Sequence, residues 1–156
     1  MKAKYRRIAR SQLDATLALF GAGRNVQPPA KGWIRAVRDA LGMSGKQLAR
    51  RLKVSQPRVH RLEQDEVAGA LTIKTMRQVA EALDCVFVYA LVPRTSLEET
   101  VRAQARLVAA GRMQRVEHTM LLEAQGGASK EQQASLDAAI EELAWEMPRD
   151  LWGTNP

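Results

Sequence analysis

The sequence predicts a mainly α-helical protein, in which an N-terminal helix precedes a core of short helices, and one β-strand and C-terminal helices follow. Apolar residues recur at spacings of three and four residues along most of the chain. Short polar stretches suited to helix caps separate these periodic segments. Only residues 86–92 combine β-branched and aromatic side chains in one run bounded by a proline, which is typical of a strand.

The N-terminal part, residues 1–31, is predicted to be one helix and a linker. The helix spans residues 4–20 and ends at Gly21. Gly23 and a Pro-Pro pair then favour an irregular connection. The basic residues of this segment either contact phosphates or form the polar side of a packed helix. The apolar residues that share one face of the helix are Ala9, Leu13, Leu17 and Phe20.

Residues 32–84 contain a series of short helices that begin in the same way. Ser44 with Gln47 has the spacing of a capping box, and Ser55 and Thr72 are the next candidate N-caps. A turn centred on residues 53–54 joins the first two of these helices, and two helices joined so closely form a helix-turn-helix. The predicted core positions are Ile34, Val37, Leu41, Leu48, Ala49, Leu52, Val59, Leu62, Met76, Val79, Ala80 and Leu83.

Residues 85–156 are predicted to combine the strand with two helices that serve dimerisation or partner binding. Ser96 and Glu99 have the spacing of a capping box and open a long helix. The predicted break after it is Gly126-Gly127, the next N-cap is Ser129, and the apolar side of the last helix is Leu136, Ile140, Leu143 and Met147.

The strand at residues 86–92 has no partner strand elsewhere in the predicted elements. An unpaired apolar strand is an aggregation hazard, so we expect this one to pair with its copy in a second protomer. The alternative partner is the irregular segment at residues 21–32.

Charge is distributed unevenly along the chain. Residues 1–65 hold 15 Lys/Arg against 4 Asp/Glu, whereas residues 127–156 hold 2 against 6. A strongly basic first half favours a polyanionic partner, because each phosphate that a protein neutralises releases condensed counterions. A solvated, soluble surface is the alternative interpretation.

The composition is typical of a cytoplasmic protein. The single cysteine, Cys85, excludes an internal disulfide and fits a reducing compartment. No apolar run approaches the roughly 18 residues that a transmembrane helix needs. The basic start is not followed by the apolar stretch of a signal peptide. We therefore expect no membrane association.

An enzyme is not expected from this sequence. The only two histidines, His60 and His118, lie in separate predicted helices. The sequence contains no Gly-rich phosphate loop, no metal-ligand cluster and no nucleophile arrangement. We predict neither a cofactor nor a metal.

The helix that Ser55 opens is polar and basic on its outer face, which a generic helical bundle does not explain. Arg pairs with guanine and Gln with adenine in the major groove. We therefore predict base contacts by Gln56, Arg58 and Arg61. The predicted phosphate contacts are Ser44, Lys46, Gln47, Arg50, Lys53, Ser55 and His60, with a base contact or plain solvation as alternatives for His60.

Residues 43–63 resemble the phage-repressor-like (Xre) helix-turn-helix family. The shared pattern is a serine, then Leu-Ala, a short turn, Val-Ser-Gln and a closing Leu-Glu. The resemblance implies a four-helix DNA-binding core, and it adds Pro57 as an apolar base contact at a position that the family uses for reading. Gly45 departs from the family by replacing a DNA-contacting Gln. Lys53 replaces a Gly, so its backbone is expected to be left-handed and mildly strained.

The wider sequence is similar to the family called mobile mystery protein A. The similarity covers most of the chain up to about residue 126, and it includes Lys4-Tyr-Arg-Arg, Pro28-Pro29, Gly32-Trp33, the stretch from Tyr89 to Glu99, and residues 116–120. That family occurs in mobile-element contexts beside a Fic-domain protein. The resemblance therefore implies an antitoxin-like regulator in a two-gene module with a Fic-domain partner.

These patterns together predict a homodimeric transcriptional repressor that binds a pseudo-palindromic operator on double-stranded DNA and represses its own module. The alternative is a protein-binding antitoxin that inhibits a Fic-type toxin by direct contact and has little specific DNA role. The two predictions differ in whether the Arg61 side chain is needed for DNA binding or for partner binding.

Overall fold

A computed structural model describes residues 3–120 and 130–153, with side chains at 3–115 and 130–153. The predicted break at Gly126-Gly127 and the cap at Ser129 lie outside the described residues. No described helix has the length and apolar content needed to cross a bilayer. Within the described ranges the regular elements are α1 Ala3–Ala18, a 3-10 turn Gly21–Asn25, α2 Trp33–Ala40, α3 Gly45–Leu52, α4 Gln56–Val67, α5 Ile73–Ala82, α6 Leu97–Met120 and α7 Lys130–Glu146.

The mainly α class is correct, but the prediction of a strand at residues 86–92 is wrong. A strand requires a neighbour that takes up its N–H and C=O groups, and the described residues contain no second strand. Most of its large apolar side chains remain exposed, among them Val86 at 86%, Val88 at 68% and Leu91 at 91%, whereas Phe87 is half-buried. Cys85 and Phe87 line a cleft of about 540 Å³ together with Trp33 and Met76, and the Phe87 ring stacks on Tyr89 at 5.9 Å between centroids. The pairing expected for this strand therefore loses its basis.

The central unit, Ala22–Ala90, contains α2 to α5 around one apolar core. The buried apolar residues of this core all occupy predicted core positions: Ile34, Leu48, Ala49, Val59, Leu62, Val79 and Leu83. The prediction is wrong for Leu41, which is 56% exposed. The reason is that α2 ends one residue earlier and the chain then turns at Gly42, whose φ is +63°.

Side-chain caps begin α3 and α5 in the central unit. Ser44 Oγ accepts the Gln47 N–H at 3.2 Å, and Gln47 Oε1 accepts the Ser44 N–H at 2.7 Å. This reciprocal pair confirms the predicted capping box. The Thr72 hydroxyl accepts the Thr75 N–H at 3.1 Å, which confirms the predicted cap of α5. These local bonds fix where each short helix begins.

The terminal unit consists of the described residues of Met1–Gly21 and Leu91–Pro156. The carboxylate of Asp14 in α1 caps the start of α6, because it accepts the N–H groups of Leu97 at 2.7 Å and Glu98 at 3.1 Å. The Ser96 hydroxyl accepts the Glu99 N–H at 3.0 Å, as the capping-box spacing predicts. The buried residues that α6, α7 and the following turn share are Val101, Ala105, Val108, Ala109, Leu143, Ala144 and Leu151.

The helix α1 packs within the terminal unit through its polar side. Arg10 is buried, and its guanidinium donates to Glu98 Oε2 at 2.7 Å and to the Met147 sulfur at 2.8 Å. Arg6 donates to the Met147 carbonyl at 3.0 Å. Leu13, which belongs to the apolar face in the sequence pattern, is 48% exposed. Hydrogen bonds of charged side chains, rather than apolar spacing, therefore decide which side of α1 faces its neighbours.

Candidate nucleic-acid interface

The turn between α3 and α4 depends on an unusual backbone at Lys53. Its φ of 57° and ψ of 41° are left-handed, as the comparison with the usual glycine predicts. A non-glycine residue in this region costs roughly 1–2 kcal/mol. The conformation lets the Val54 N–H reach the Ala49 carbonyl at 3.0 Å, which closes the end of α3. The left-handed backbone at Lys53 therefore costs some stability, but it ends α3 and lets the chain turn into α4 within a few residues.

The start of α4 leaves polar groups unused. Ser55 is the N-cap, but its hydroxyl accepts no cap hydrogen bond. Pro57 has no N–H to offer, and the Arg58 N–H bonds instead to the Ser55 carbonyl at 3.1 Å. The Ser55 hydroxyl at the positive end of the helix dipole therefore remains available to an anion.

All eleven residues that the sequence assigns to DNA contact are exposed, and they lie on α3, on α4 or at the cap residues that flank these helices. Exposure is necessary for contact with DNA, although it does not distinguish a base contact from a phosphate contact. The helix-turn-helix thus brings these residues together from two elements. They are Ser44, Lys46, Gln47, Arg50, Lys53, Ser55, Gln56, Pro57, Arg58, His60 and Arg61.

The outward face of α4 is defined by its buried residues, which are Val59, Leu62 and Glu63. At 100° per residue, Pro57 and Arg61 lie opposite this buried stripe. His60 and Gln64 adjoin them, and their Nε2 atoms lie 3.1 Å apart. The sequence prediction did not commit Gln64 to a contact, but helical periodicity alone places it on this face.

Two predicted base contacts lie on the flanks of α4. Arg58 lines a groove of about 570 Å³ together with Thr75 and Gln78 of α5. Gln56 lies beside the start of α3, because its Cγ is 4.0 Å from the position that a Cβ on Gly45 would occupy. The absence of a side chain at Gly45 leaves that space to Gln56. The structure therefore does not place all four base-contact candidates on one face.

Three cations form a row along α3. Lys46, Arg50 and Lys53 are separated by four and three residues, which puts them on one side of the helix. All three are exposed, and none forms an ion pair within the residues that the structure describes. The outward Arg61 and the flanking Arg58 are likewise without an acidic partner there. A row of unpaired cations beside an outward helix face suits a phosphate backbone.

Other arginines of the central unit are engaged in the fold. Arg38 donates to Glu63 Oε1 at 2.7 Å and to the Met43 carbonyl at 2.8 Å. The hydrogen bond that Arg38 donates to the Glu63 carboxylate stabilises the charged guanidinium and raises the pKa of Arg38 above its ordinary value, against the opposing effect of burial. Arg51 donates to the Ala82 carbonyl at 3.0 Å. The structure thus separates arginines that support the fold from those that remain available to a ligand.

The acidic residues Glu63 and Glu66 of α4 have structural roles that the sequence analysis missed. Glu66 accepts the backbone N–H groups of Trp33 at 2.8 Å and Ile34 at 2.9 Å, and so caps α2 from another helix. Gly32 makes this approach possible, because a Cβ there would lie 2.6 Å from Glu66 Oε2. Two features of the sequence could have indicated these roles. The start of α2 at Gly32 has no capping side chain of its own, so it needs an acceptor from elsewhere, and Glu63 occupies the otherwise apolar stripe of α4.

Residues 34–87 match a protein-family model described as helix-turn-helix. This stretch is an Xre-family helix-turn-helix domain, which confirms the prediction for the core of the chain. Such domains belong to DNA-binding transcription regulators and are generally not enzymes. Comparisons with curated proteins and with solved structures found no significant match.

Proposed function

We propose that this protein is a transcriptional repressor that binds a specific operator sequence in front of its own gene. The observation that carries the proposal is the set of exposed cations on α3 and α4 that have no acidic partner among the described residues, next to an outward helix face with Pro57 and Arg61. Structural arginines such as Arg38 are satisfied internally, so the open ones are available to an external anion.

In this proposal α4 lies in the major groove and reads bases with four residues. Arg61 pairs with a guanine through O6 and N7, and Gln56 pairs with an adenine. Pro57 contacts a thymine methyl with its ring. Arg58 lies on the side of α4 that faces α5, and it contacts a base from that side of the recognition helix. Each good bidentate pair is worth about 1–3 kcal/mol of discrimination against the wrong base.

Phosphate contacts orient the domain on the duplex. The row of Lys46, Arg50 and Lys53 follows one backbone strand. Gln47 uses its Oε1 in the capping box, so its amide N–H groups are the part left for a phosphate. The other phosphate contacts in the proposal are Ser44, Ser55 and His60.

The proposed operator is pseudo-palindromic and is bound by a homodimer. A single recognition helix reads only a few base pairs, whereas a twofold dimer reads two half-sites about one helical turn apart. The half-site spacing then reports the distance between the two copies of α4.

The resemblance to mobile mystery protein A supports a finer proposal, an antitoxin-like autoregulator paired with a Fic-domain protein. Co-expression of the two chains tests it, with co-purification as the expected result. If the two chains do not co-purify but the protein still binds DNA, the repressor proposal stands and the antitoxin proposal is wrong. A complex that forms while the protein shows no operator preference favours the protein-binding antitoxin instead.

The first experiment measures binding of the protein to its own upstream DNA and to a scrambled duplex of equal length, across a salt series. Arg61→Ala should weaken binding to the upstream duplex by roughly 5- to 150-fold and reduce the preference over the scrambled duplex. Arg149→Ala is the matched control, since Arg149 is exposed and lies in the terminal unit. Equal effects of the two substitutions, or equal binding to both duplexes, would contradict specific reading by α4.

A further inference from the structure

The helix α1 has an exposed face whose side chains form no hydrogen bond or ion pair with the part of the chain that the structure describes. Tyr5 is 61% exposed, Ile8 45%, and Leu19, which directly follows the helix, 83%. Gln12 and Ala15 lie between them and are also exposed. We name these five residues, Tyr5, Ile8, Gln12, Ala15 and Leu19, the α1 seam.

The spacing of the α1 seam is that of a heptad repeat. Successive members are separated by three, four, three and four residues, which is the pattern of helices that pack against another helix. Helices that pack only inside one domain normally turn such a stripe toward the core. In α1 the opposite side is packed, because Arg6, Arg10 and Asp14 form hydrogen bonds to other elements of the terminal unit, and Arg7 beside them stacks on the Trp145 ring.

The surroundings of the α1 seam decide what class of partner fits. The positions that flank it within the helix are Ala9, Ser11, Thr16 and Ala18, which are small and uncharged. Small flanking residues allow a second helix to approach closely. Lys4, at the start of the helix, is the one flanking charge. A face with so little positive charge does not suit a nucleic acid or an acidic peptide.

The α1 seam is compatible with a copy of itself. A twofold axis places each residue of a face opposite the same face of the partner, so a seam rich in charge of one sign would repel its copy. This seam carries no charge. Its polar member, Gln12, has both an amide donor and an amide acceptor and so can bond to an identical side chain. A polar residue at one heptad position also specifies the alignment of the two helices.

We propose that the α1 seam is the surface through which this protein pairs with a second copy of itself, as a twofold pair of α1 helices. The inference deepens the proposed function, because it names the dimer surface that a pseudo-palindromic operator requires. It does not use the segment at residues 86–92. The contact is a helix of 16 residues, about 24 Å long, so the dimer should be small in area and dependent on concentration.

Sedimentation of the full chain without DNA tests the proposal over a range of protein concentrations. The wild-type protein should approach twice its 17.3 kDa mass as concentration rises. Ile8→Glu places a negative charge opposite its own copy and should raise the dimer dissociation constant at least tenfold. Ile8→Ala, which suits an exposed helix position, should weaken the dimer less.

Leu13→Glu is the matched control, because Leu13 is 48% exposed on the same helix but lies outside the α1 seam. It should leave the dimer unchanged, and circular dichroism should show equal helix content in all variants. A wild-type protein that stays monomeric, or equal weakening by Ile8→Glu and Leu13→Glu, overturns the proposal. The repressor proposal is tested separately. A protein that dimerises through the α1 seam but shows no preference for its upstream DNA would support the dimer surface and contradict operator binding.

Discussion

At the scale of single residues, Gly32 and Glu66 together cap the start of α2: Glu66 accepts the backbone N–H groups, and Gly32 leaves room for its carboxylate. Gly32 has φ +80° and ψ 162°, a region that is almost closed to residues with a Cβ. The conformation brings the first N–H groups of α2 within 2.9 Å of the Glu66 carboxylate. Two helices distant in sequence are therefore joined by charge-assisted hydrogen bonds at a point where apolar packing alone would leave backbone donors unsatisfied.

The substitution Gly32→Ala should destabilise the protein by about 2–4 kcal/mol, because it adds backbone strain and also displaces Glu66. Gly69→Ala is the control, since Gly69 also has a positive φ, +69°, but nothing lies within 4 Å of its missing Cβ. We expect about 1 kcal/mol for the control. Urea denaturation measures both; equal midpoints for the two variants would mean that the contact with Glu66 contributes nothing.

Residue-scale predictions from the sequence succeeded where the physical cause is local. The caps at Ser44 and Thr72 bond to groups three residues away, so their spacing is visible in the sequence. Glu63 lies 25 residues from Arg38, and the two backbone N–H groups that Glu66 accepts lie more than 30 residues from it along the chain. No periodicity encodes such a pairing, so it became visible only in the folded structure.

At the scale of elements, α4 is held by its charged residues as well as by its apolar stripe. Glu63 is 8% exposed in its side chain and Arg38 is 12% exposed, so their ion pair is poorly screened by water. The pair ties α4 to α2, while Glu66 ties it at a second point one turn further on. The outward face with Pro57 and Arg61 thus has a fixed orientation before any DNA binds, which lowers the entropic cost of docking.

Breaking this ion pair should be costly. Glu63→Gln removes one of the two carboxylates at the largely buried Arg38 and leaves Asp39, whose Oδ1 lies 2.7 Å from Nη1, so we expect a loss of about 1–3 kcal/mol in the free energy of unfolding. Glu81→Gln on the exposed side of α5 serves as control and should change stability by less than about 0.5 kcal/mol. Thermal unfolding compares them. A Glu63→Gln protein as stable as the control would exclude the pair as an anchor of α4.

The elements also explain which predictions of fold were sound. The helices of the central unit were predictable because the apolar stripe and the turns agree along each short segment, and side-chain caps support them at the starts of α3 and α5. The strand prediction for residues 86–92 was wrong because it used β-propensity alone. Residues of high β-propensity have side chains that fit a pleated surface, but a strand forms only beside a second strand, which the local sequence does not supply. In α1, hydrogen bonds of Arg6, Arg10 and Asp14 overrule the apolar pattern.

At the scale of the whole molecule, the chain divides into a central unit formed by one continuous segment and a terminal unit formed by its two ends. Contacts in the terminal unit join residues far apart in sequence, such as Arg10 with Glu98 and with Met147. The buried Arg10 is therefore not a phosphate contact, which decides between the two interpretations of the basic N-terminal segment for this residue.

Arg10→Ala should destabilise the terminal unit by roughly 2–4 kcal/mol, since it removes the buried partner of Glu98. Hydrogen exchange resolves the effect by position. The amides of Leu97 and Glu98 should lose protection, while those of α3 and α4 keep it. Lys4→Ala, at an exposed site on the same helix, should change neither. Loss of protection in α4 instead would contradict a role of Arg10 that is confined to the terminal unit.

The joining of both chain ends in one unit has a consequence during synthesis. The last residue of α1 leaves the ribosome about 130 residues ahead of the last residue of α7, which at roughly 5–20 residues per second is an interval of roughly 7–25 s. Arg10 has no acceptor until Glu98, 88 residues later in the chain, has emerged, and it lacks Met147 until the end of that interval. The central unit, by contrast, is complete once residue 90 has emerged. We therefore expect the central unit to fold on the nascent chain before α1 can form its contacts with α6 and with the residues that follow α7.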